Sequence, residues 1–244
     1  MESAKKNELK PWLKKQFCIP PEANEEFVCH MEDILDTYRR PYDPRFPQIC
    51  MDEGSKQLLA ETREPLAIKA GEVAREDYEY EREGVCNVFL VCEPLAGKRF
   101  LKVTEKRKKE DWAHFLREIM DKQYADAEKI ILVMDNLNTH TLSSFYKAFK
   151  PSEAHRLARK LEIHYTPKHG SWLNMAEIEL SVLARQCLSG RIPSIQQAEA
   201  QVMAWQQERN QMQVSINWRF TTEDARIKLK RLYPVIEQDT GSFN

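Results

Sequence analysis

Two aspartates stand at positions where a buried strand gives way to a polar segment. Asp52 follows the short apolar run 46–51, and Asp135 follows the run 129–134, which is rich in Ile and Val as buried parallel strands are. In open α/β sheets the reactive groups lie at the carboxyl ends of strands, near the point where strand order reverses. Two ionised carboxylates held together there repel each other, so a divalent cation is their natural partner. The alternative is that each Asp only begins a turn.

A third acid is predicted on the helix 174–188, but helical geometry leaves its identity open. Glu177 lies about 70° to one side of the apolar stripe of this helix, and Glu179 lies about 90° to the other side. Glu177 also has a purely structural explanation, because Asn174 as N-cap with Glu177 three residues later is a capping-box arrangement. The residues themselves do not choose between the two glutamates.

Three carboxylates from two strands and one helix would suit a pair of Mg²⁺ or Mn²⁺ ions, since hard cations prefer oxygen ligands. Two such ions about 3.5–4 Å apart activate an attacking oxygen and stabilise the leaving one in phosphodiester displacement. The chemistry expected from these residues is therefore metal-dependent cleavage or transfer of a nucleic-acid strand.

The secondary structure predicted around these acids is, in chain order, a strand, two hairpin strands, a helix, a strand, a helix, a strand and further helices. Strands are predicted at 46–51, 85–92, 99–103, 129–134 and 161–165. Helices are predicted at 24–39, 106–124, 141–161 (one or two around Pro151), 174–188, 194–211 and 221–232. Residues 53–84 are mostly charged, and the six acids and two arginines within 72–83 are interpreted as an exposed acidic excursion. If the hairpin lies on one side of the first strand and the fourth strand on the other, Asp52 and Asp135 face each other.

Composition excludes several other classes. The seven glycines are too widely spaced for a Walker-A loop or a dinucleotide fingerprint. The six cysteines contain no C-x-x-C and are interpreted as free, buried thiols, not as a zinc site. No apolar run approaches the roughly 20 residues of a membrane helix, and the N-terminus has no signal-peptide pattern, so a cytosolic location is expected.

Any binding of nucleic acid must rest on local basic groups, because the formal net charge is only −1. The candidate phosphate contacts are Lys98, Arg99, Lys102, Lys106, Arg107, Lys108 and Lys109; Arg156, Arg159, Lys160 and Lys168; and Arg226, Lys228, Lys230 and Arg231. Each group could instead be a solvated helix face. Trp112, Trp205 and Trp218 are expected in the core, whereas Trp172 is as well explained by base stacking.

Four segments resemble the DDE transposases of bacterial insertion sequences related to mariner elements. They are VMDNLNTH at 133–140, HYTPKHGSWLNMAE at 164–177, ICMDE at 49–53 and NWRFT at 217–221. The likeness runs from about residue 46 to 233, and the loop and helix around 164–177 are its most specific part.

The resemblance implies an α/β fold of the ribonuclease H-like class, with a mixed five-stranded sheet flanked by helices and additional C-terminal helices. It implies that Asp52, Asp135 and Glu177 are the catalytic, metal-binding triad, and so selects Glu177 over Glu179. Supporting roles next to the acids are implied for Asn136, His140, His169, Ser171, Trp172 and Asn174.

The implied activity is metal-dependent cleavage at the 3′ ends of an insertion sequence, followed by strand transfer, with two Mg²⁺ or Mn²⁺ ions. The implied partners are double-stranded DNA of the element ends, a target at a TA dinucleotide and a second copy of the chain, in the bacterial cytoplasm at the nucleoid. Two alternatives remain open: a nuclease or resolvase without strand transfer, and a non-catalytic transposase fragment that regulates by binding DNA.

The domain arrangement implied by the resemblance is incomplete. Family members usually carry an N-terminal helix-turn-helix region, whereas few residues precede the first strand here. Residues 1–45 are therefore interpreted as a linker or remnant, 46–233 as the catalytic domain and 234–244 as a tail. The chain would be a truncated copy, an excised domain or the second frame of a split gene, with a separate N-terminal frame as a possible partner.

Overall fold

A mixed five-stranded sheet organises the molecule. The computed structural model describes residues 22–63, 71, 77–137 and 140–235. The strands are β1 (Gln48–Glu61), β2 (Tyr80–Glu93), β3 (Lys98–Thr104), β4 (Ile130–Met134) and β5 (Leu161–Tyr165). Their spatial order is β3-β2-β1-β4-β5, with β1, β4 and β5 parallel and β2 antiparallel to both neighbours. The prediction that β1 lies between the hairpin and the fourth strand is confirmed.

Helices cover both faces of this sheet. They are α1 (Glu25–Tyr38), α2 (Lys109–Lys122), α3 (Ser143–Ala148), α4 (Pro151–Lys160), α5 (Met175–Gln186), α6 (Ile195–Gln211) and α7 (Thr222–Lys228). The ends follow local chemistry: Asn24, Ser194 and Thr221 cap α1, α6 and α7 by accepting backbone N–H bonds. The helices match the predicted segments to within a few residues.

The alternation of side chains along β1 separates two cores. Ile49 and Met51 pack with the helices α2, α3 and α4, whereas Cys50 packs with α1, α5, α6 and α7. Because the side-chain period of a strand is two, Asp52 shares the face of Cys50 and therefore the side of α5. Glu53 points to the opposite face, toward α2.

The first strand is much longer than predicted. It continues past Asp52 to Glu61 as a hairpin with β2, while its pairing with β4 ends at Cys50 and Val133. Asp52 therefore lies inside a strand, at the level where β4 has ended. Residues 80–83 of the predicted excursion are an exposed part of β2, and residues 72–76 lie outside the described residues.

Helix α1 belongs to the catalytic fold, so the predicted boundary at residue 46 is wrong for this helix. Met31, Ile34 and Leu35 are fully buried in the core that contains Cys50. The N–H of Asn24 donates to the carbonyl of Leu232 at 2.9 Å, which ties the start of α1 to the last turn of the described chain. Residues 1–21 and 236–244, most of the predicted remnant and tail, lie outside the described residues.

The free edge of β3 is closed by amide side chains of α6. Asn210 accepts from the N–H of Arg99 at 2.7 Å and donates to its carbonyl at 2.8 Å, and Gln206 accepts from the N–H of Leu101 at 2.6 Å. These bonds replace a sixth strand and so protect the sheet edge against pairing with another chain. They also fix Arg99 beside the core.

Two expectations from composition can be compared with the described residues. Cys50, Cys86 and Cys92 are free, buried thiols, as predicted. Cys29 and Cys187 are also free, but the prediction that they are buried is wrong, because Cys29 is exposed and Cys187 is half-buried. Cys18 lies outside the described part of the chain. None of the helices in that part is both long and apolar enough to cross a bilayer.

Candidate active site

Asp52 is the most buried of the three predicted acids. The N–H of Glu53 donates to its Oδ1 at 2.7 Å. Burial raises the pKa of Asp52 to about 7; that backbone hydrogen bond opposes the rise, and the negative charges of Asp135 and Glu177 add to it. The charges of the two other acids that the resemblance selected therefore both reach Asp52.

Asp135 comes directly after β4 and is partly exposed. Extending the β1–β4 register by two residues beyond Cys50 and Val133 brings Asp135 level with Asp52. Its Oδ1 lies 2.9 Å from Nδ1 of His140. The second acid is thus held by His140 and lies level with Asp52 of the first strand.

Glu177 lies in the first turn of α5, and Asn174 fixes where that turn begins. The Asn174 side chain accepts from the N–H of Ala176 at 3.0 Å and donates through Nδ2 to the carbonyl of Met51 at 2.9 Å. Asn174 is 1% exposed, so the start of α5 is joined to β1 one residue before Asp52.

The predicted capping box does not form. The N–H of Asn174 donates to the carbonyl of Ser171 at 2.7 Å, which leaves the Glu177 carboxylate out of the cap. Glu177 is exposed, and an acid in the first turn is favoured by the helix dipole. Its placement is compatible with a role outside the helix cap.

Glu179 is committed to a buried ion-pair network. It is 2% exposed and accepts two hydrogen bonds from Arg99, at 2.7 and 2.9 Å, and two from Arg209, at 3.1 and 3.2 Å. Of the two glutamates left open by the sequence, Glu179 is thus engaged by internal cations, whereas Glu177 is exposed. Arg99 is 0% exposed, so its prediction as a DNA contact is wrong.

His140 joins the second acid to the first strand from the opposite face of the sheet. Its ring is fully buried, lies 2.9 Å from Asp135 and 2.7 Å from Oε2 of Glu53, and stacks on Trp112. Burial lowers the pKa of His140, but its hydrogen bonds to Asp135 and Glu53 outweigh burial and raise the pKa to about 9. The two carboxylates therefore favour the protonated form of the ring.

Glu53 is the functional candidate that sequence reasoning missed. Its side chain is 5% exposed although it follows Asp52 directly. The only local signal is the period of the strand, which turns Glu53 away from Asp52, and His140 is 87 residues distant in sequence. The bond between them exists only in the folded chain.

The segment before α5 is a tight turn that contains the other implied supporting residues. His169 adopts a positive φ of 66°, and a Cβ at Gly170 would lie 2.5 Å from Cγ of Pro167. Ser171 and His169 are exposed, and Trp172 packs edge-on against Phe220. These residues form the turn that precedes α5, the helix that carries Glu177. Asn136 is exposed beside Asp135, whereas Asn138 and Thr139 lie outside the described residues.

The predicted cationic groups differ in how many of their charges are exposed and how many are paired with carboxylates of the protein. Arg107 is 59% exposed and lies 3.6 Å from Oε1 of Glu53, beside the acids. Lys106 and Lys108 are exposed next to it. On α4, by contrast, Arg156 is paired with Asp121 and Glu153.

Four further predicted cations complete this comparison. Lys160 donates to the carbonyls of Tyr124 and Ala125, and Lys102 is paired with Glu118 at 3.0 Å. Arg159 and Lys168 are exposed. The basic loop 106–109 is therefore the group that adjoins the acids.

The three carboxylates are ligands of the type that a hard divalent cation prefers, but they are not gathered at the spacing of metal ligands. Three carboxylates, one of them with a pKa raised by burial and by its neighbours, would be relieved by a cation. Within the part of the chain that the structure describes, no three His, Cys, Asp or Glu side chains are gathered at metal-ligand spacing. The fit is one of charge and ligand type.

The strand order and the flanking helices are those of the ribonuclease H-like fold. Residues 47–199 match the model of the DDE superfamily endonuclease family, and the chain belongs to that family. Among curated proteins none matches it.

Solved structures of the Mos1 mariner transposase share the fold. A paired-end complex with left transposon end has 13% sequence identity and a TM-score of 0.53, with 86% of this chain and 64% of that chain covered. A paired-end complex with Mn has 15% identity, a TM-score of 0.52 and the same coverage. The strand transfer complex has 13% identity and a TM-score of 0.54. The chain thus spans less than two thirds of the Mos1 chain in these structures, and at such identities the likeness establishes the fold alone.

Proposed function

We propose that this chain is the catalytic domain of a DNA transposase that cleaves the 3′ ends of an insertion sequence and transfers them to target DNA. The observation that carries the proposal is the position of Asp52 at the point where strand order reverses, where burial and the negative charges of Asp135 and Glu177 raise its pKa. Membership in the DDE superfamily endonuclease family supports the same reading.

In the proposed reaction the three acids bind the metal ions, and the neighbouring residues hold the acids in place. Asp52, Asp135 and Glu177 would hold two Mg²⁺ or Mn²⁺ ions, which when bound activate the attacking oxygen and stabilise the leaving one. Water attacks the phosphodiester at the element end and the 3′-oxygen leaves. The freed 3′-hydroxyl then attacks a target phosphodiester and displaces its 3′-oxygen. Asn174 and His140 keep the acids in place, so the protein contributes orientation.

The nucleic-acid partners are proposed by analogy and by charge. The Mos1 structures are complexes with transposon ends or a strand transfer complex, and were obtained with Mn and with Mg. For this chain we propose double-stranded DNA as substrate, a TA target and a second copy of the chain on the DNA. The loop 106–109 beside the acids would contact phosphates.

The test uses a labelled duplex with the element end and a second duplex as target. Asp52→Asn, Asp135→Asn and Glu177→Gln should each reduce cleavage to background, while Asp126→Asn and Glu25→Gln should cleave like wild type. These controls remove an exposed loop aspartate and an exposed first-turn glutamate of α1.

Activity with Mg²⁺ or Mn²⁺ but not Ca²⁺ is expected, since Ca²⁺ coordinates more loosely. Full activity in chelator would rule out the metal mechanism, and cleavage without a joined product would favour the nuclease alternative.

A further inference from the structure

A buried chain of hydrogen bonds reaches Asp135 from the opposite face of the sheet. The Asp135 carboxylate lies 2.9 Å from Nδ1 of His140, and Nε2 of the same ring lies 2.7 Å from Glu53. His140 is 0% exposed and Glu53 is 5% exposed, so water competes little for these bonds. The imidazole is stacked on Trp112, with ring centroids 5.9 Å apart and planes 20° apart, which fixes its plane.

The position of Asp135 makes such support necessary. It follows the last residue of β4, where the sheet no longer holds the backbone, and the next described polar residue, Asn136, is exposed. A carboxylate on such a segment has several rotamers, and each one that turns away from Asp52 lowers the affinity for a shared ion. His140 ties one carboxylate oxygen of Asp135 and leaves the other available. Glu53 in turn holds the ring from β1, the strand that also carries Asp52.

We infer that Glu53 is a positioning residue for the metal site, acting through His140 to hold Asp135 in the orientation that binds the ion. The inference rests on the proposed function and goes beyond the three acids. It assigns to one strand two consecutive acids with different tasks: Asp52 binds the ion on the α5 face, and Glu53 orients the second ligand from the α2 face. Partners of this kind commonly contribute 10–100-fold to metal affinity, as an order of magnitude.

The experiment measures Mn²⁺ affinity by electron paramagnetic resonance of the free ion, with thermal unfolding in chelator as the measure of folding. Glu53→Ala should weaken Mn²⁺ binding about 10–100-fold, and Glu53→Gln should weaken it less, because the amide oxygen still accepts a bond from His140. His140→Phe keeps a ring against Trp112 but removes both bonds, and should match Glu53→Ala. The double variant Glu53→Ala/His140→Phe should be no weaker than either single variant, since both act through one chain.

The matched control is Glu93→Gln. Glu93 is also a buried strand glutamate, 2% exposed; it is the last residue of β2 and accepts from the Tyr124 hydroxyl at 2.9 Å. Its substitution should leave Mn²⁺ affinity unchanged. If Glu53→Gln and Glu53→Ala shift only the unfolding temperature and bind Mn²⁺ within twofold of wild type, Glu53 is structural and the inference is overturned. Should Glu53→Ala not fold, Glu53→Met, which keeps the length of the side chain but removes the acceptor, decides by the same criterion.

Failure of the proposed function looks different. If wild type binds no Mn²⁺, or Asp135→Asn binds it as wild type does, then the metal site itself is wrong. If wild type and Asp135→Asn behave as expected and only the Glu53 variants are unaffected, the metal site stands and this inference alone fails.

Discussion

At the scale of single residues, the charge of Asp52 links folding to metal binding. Its folded-state pKa of about 7 is far above the ordinary value of 3.8, mainly because of burial. A group with a raised pKa contributes stability that is fully present below pH about 4 and is lost as the pH rises through about 7. At neutral and alkaline pH the metal-free protein therefore carries an unfavourable carboxylate, which a bound cation would relieve.

Asp52→Asn should accordingly stabilise the metal-free protein at alkaline pH. In chelator at pH 8 we expect a gain on the order of 1–3 kcal/mol, because the variant has no carboxylate to ionise in the buried site. The gain should shrink toward zero at pH 4. Thermal unfolding at both pH values measures it, and added Mg²⁺ should raise the unfolding temperature of wild type more than that of the variant. A variant less stable than wild type at pH 8 would contradict this account.

The two glutamates of α5 should separate cleanly by stability. Glu179→Gln leaves Arg99 and Arg209 in the interior without their shared carboxylate, and breaking a buried pair costs about 3–5 kcal/mol. Glu177→Gln, on the exposed side of the same helix, should change stability by less than about 0.5 kcal/mol. Urea denaturation of both variants measures the difference. Equal stability of the two would mean that the Arg99–Glu179 network contributes little.

Single residues also show which parts of the candidate site could be predicted from the sequence and which could not. Asp52 and Asp135 could be selected because strand-like runs precede them, and that signal is local. The choice between Glu177 and Glu179 could not be made locally, because both flank the apolar stripe. It depends on Arg99, 80 residues from Glu179 in sequence, and on Arg209, 30 residues away. Arg99 was itself misjudged, because a basic run gives no indication of which member turns inward.

At the scale of elements, the placement of the third acid depends on how α5 begins. Asn174 caps the helix and bonds to β1, so Asn174→Ala should destabilise the protein by about 1–2 kcal/mol through the lost cap. It should also weaken Mn²⁺ binding, because the start of α5 is no longer held beside Asp52. Ser194→Ala removes the N-cap of α6 and is the matched control: it should lower stability but not Mn²⁺ affinity. Equal Mn²⁺ affinity in all three proteins would show that the bond to Met51 does not place Glu177.

The elements themselves were largely predictable, with two instructive exceptions. Residues 54–61 show no clear strand alternation, yet they form the outer half of β1 because β2 supplies backbone partners for them. Helix α1 was predicted, but its apolar face was not assigned to the catalytic core. That assignment requires knowing that α5 and α7 leave a groove for it on the same face. Pairing and packing of this kind are properties of the folded sheet.

At the scale of the whole molecule, a net charge of −1 leaves DNA binding to the few cations that are not engaged internally. Arg156 on α4 is paired with carboxylates, and Arg226 is paired with Glu32 at 2.8 Å. The exposed loop 106–109 lies beside the acids through Arg107 and Glu53. On the proposed function we therefore expect phosphate contacts at this loop, next to Glu53.

The salt dependence of DNA binding should report this distribution. Each phosphate neutralised on duplex DNA contributes a slope of about −0.9 to log K against log salt. Replacing Lys106, Arg107, Lys108 and Lys109 with Ala should weaken binding to all duplexes about equally and flatten the slope by up to about 3 to 4. Replacing Arg156, Arg159 and Lys160 with Ala should leave most of the slope intact, because two of these cations already have partners within the protein.

Fluorescence-anisotropy titrations at several salt concentrations, with terminal-repeat and scrambled duplexes, measure both effects. Thermal unfolding of each variant verifies that it is folded. A larger change of slope for the α4 variant than for the loop variant would relocate the DNA surface to α4. Tight binding that prefers the terminal repeat would contradict a surface built on phosphate contacts, since such contacts carry no sequence information directly. Base-reading residues would then have to lie elsewhere in the chain, away from the loop that adjoins the acids.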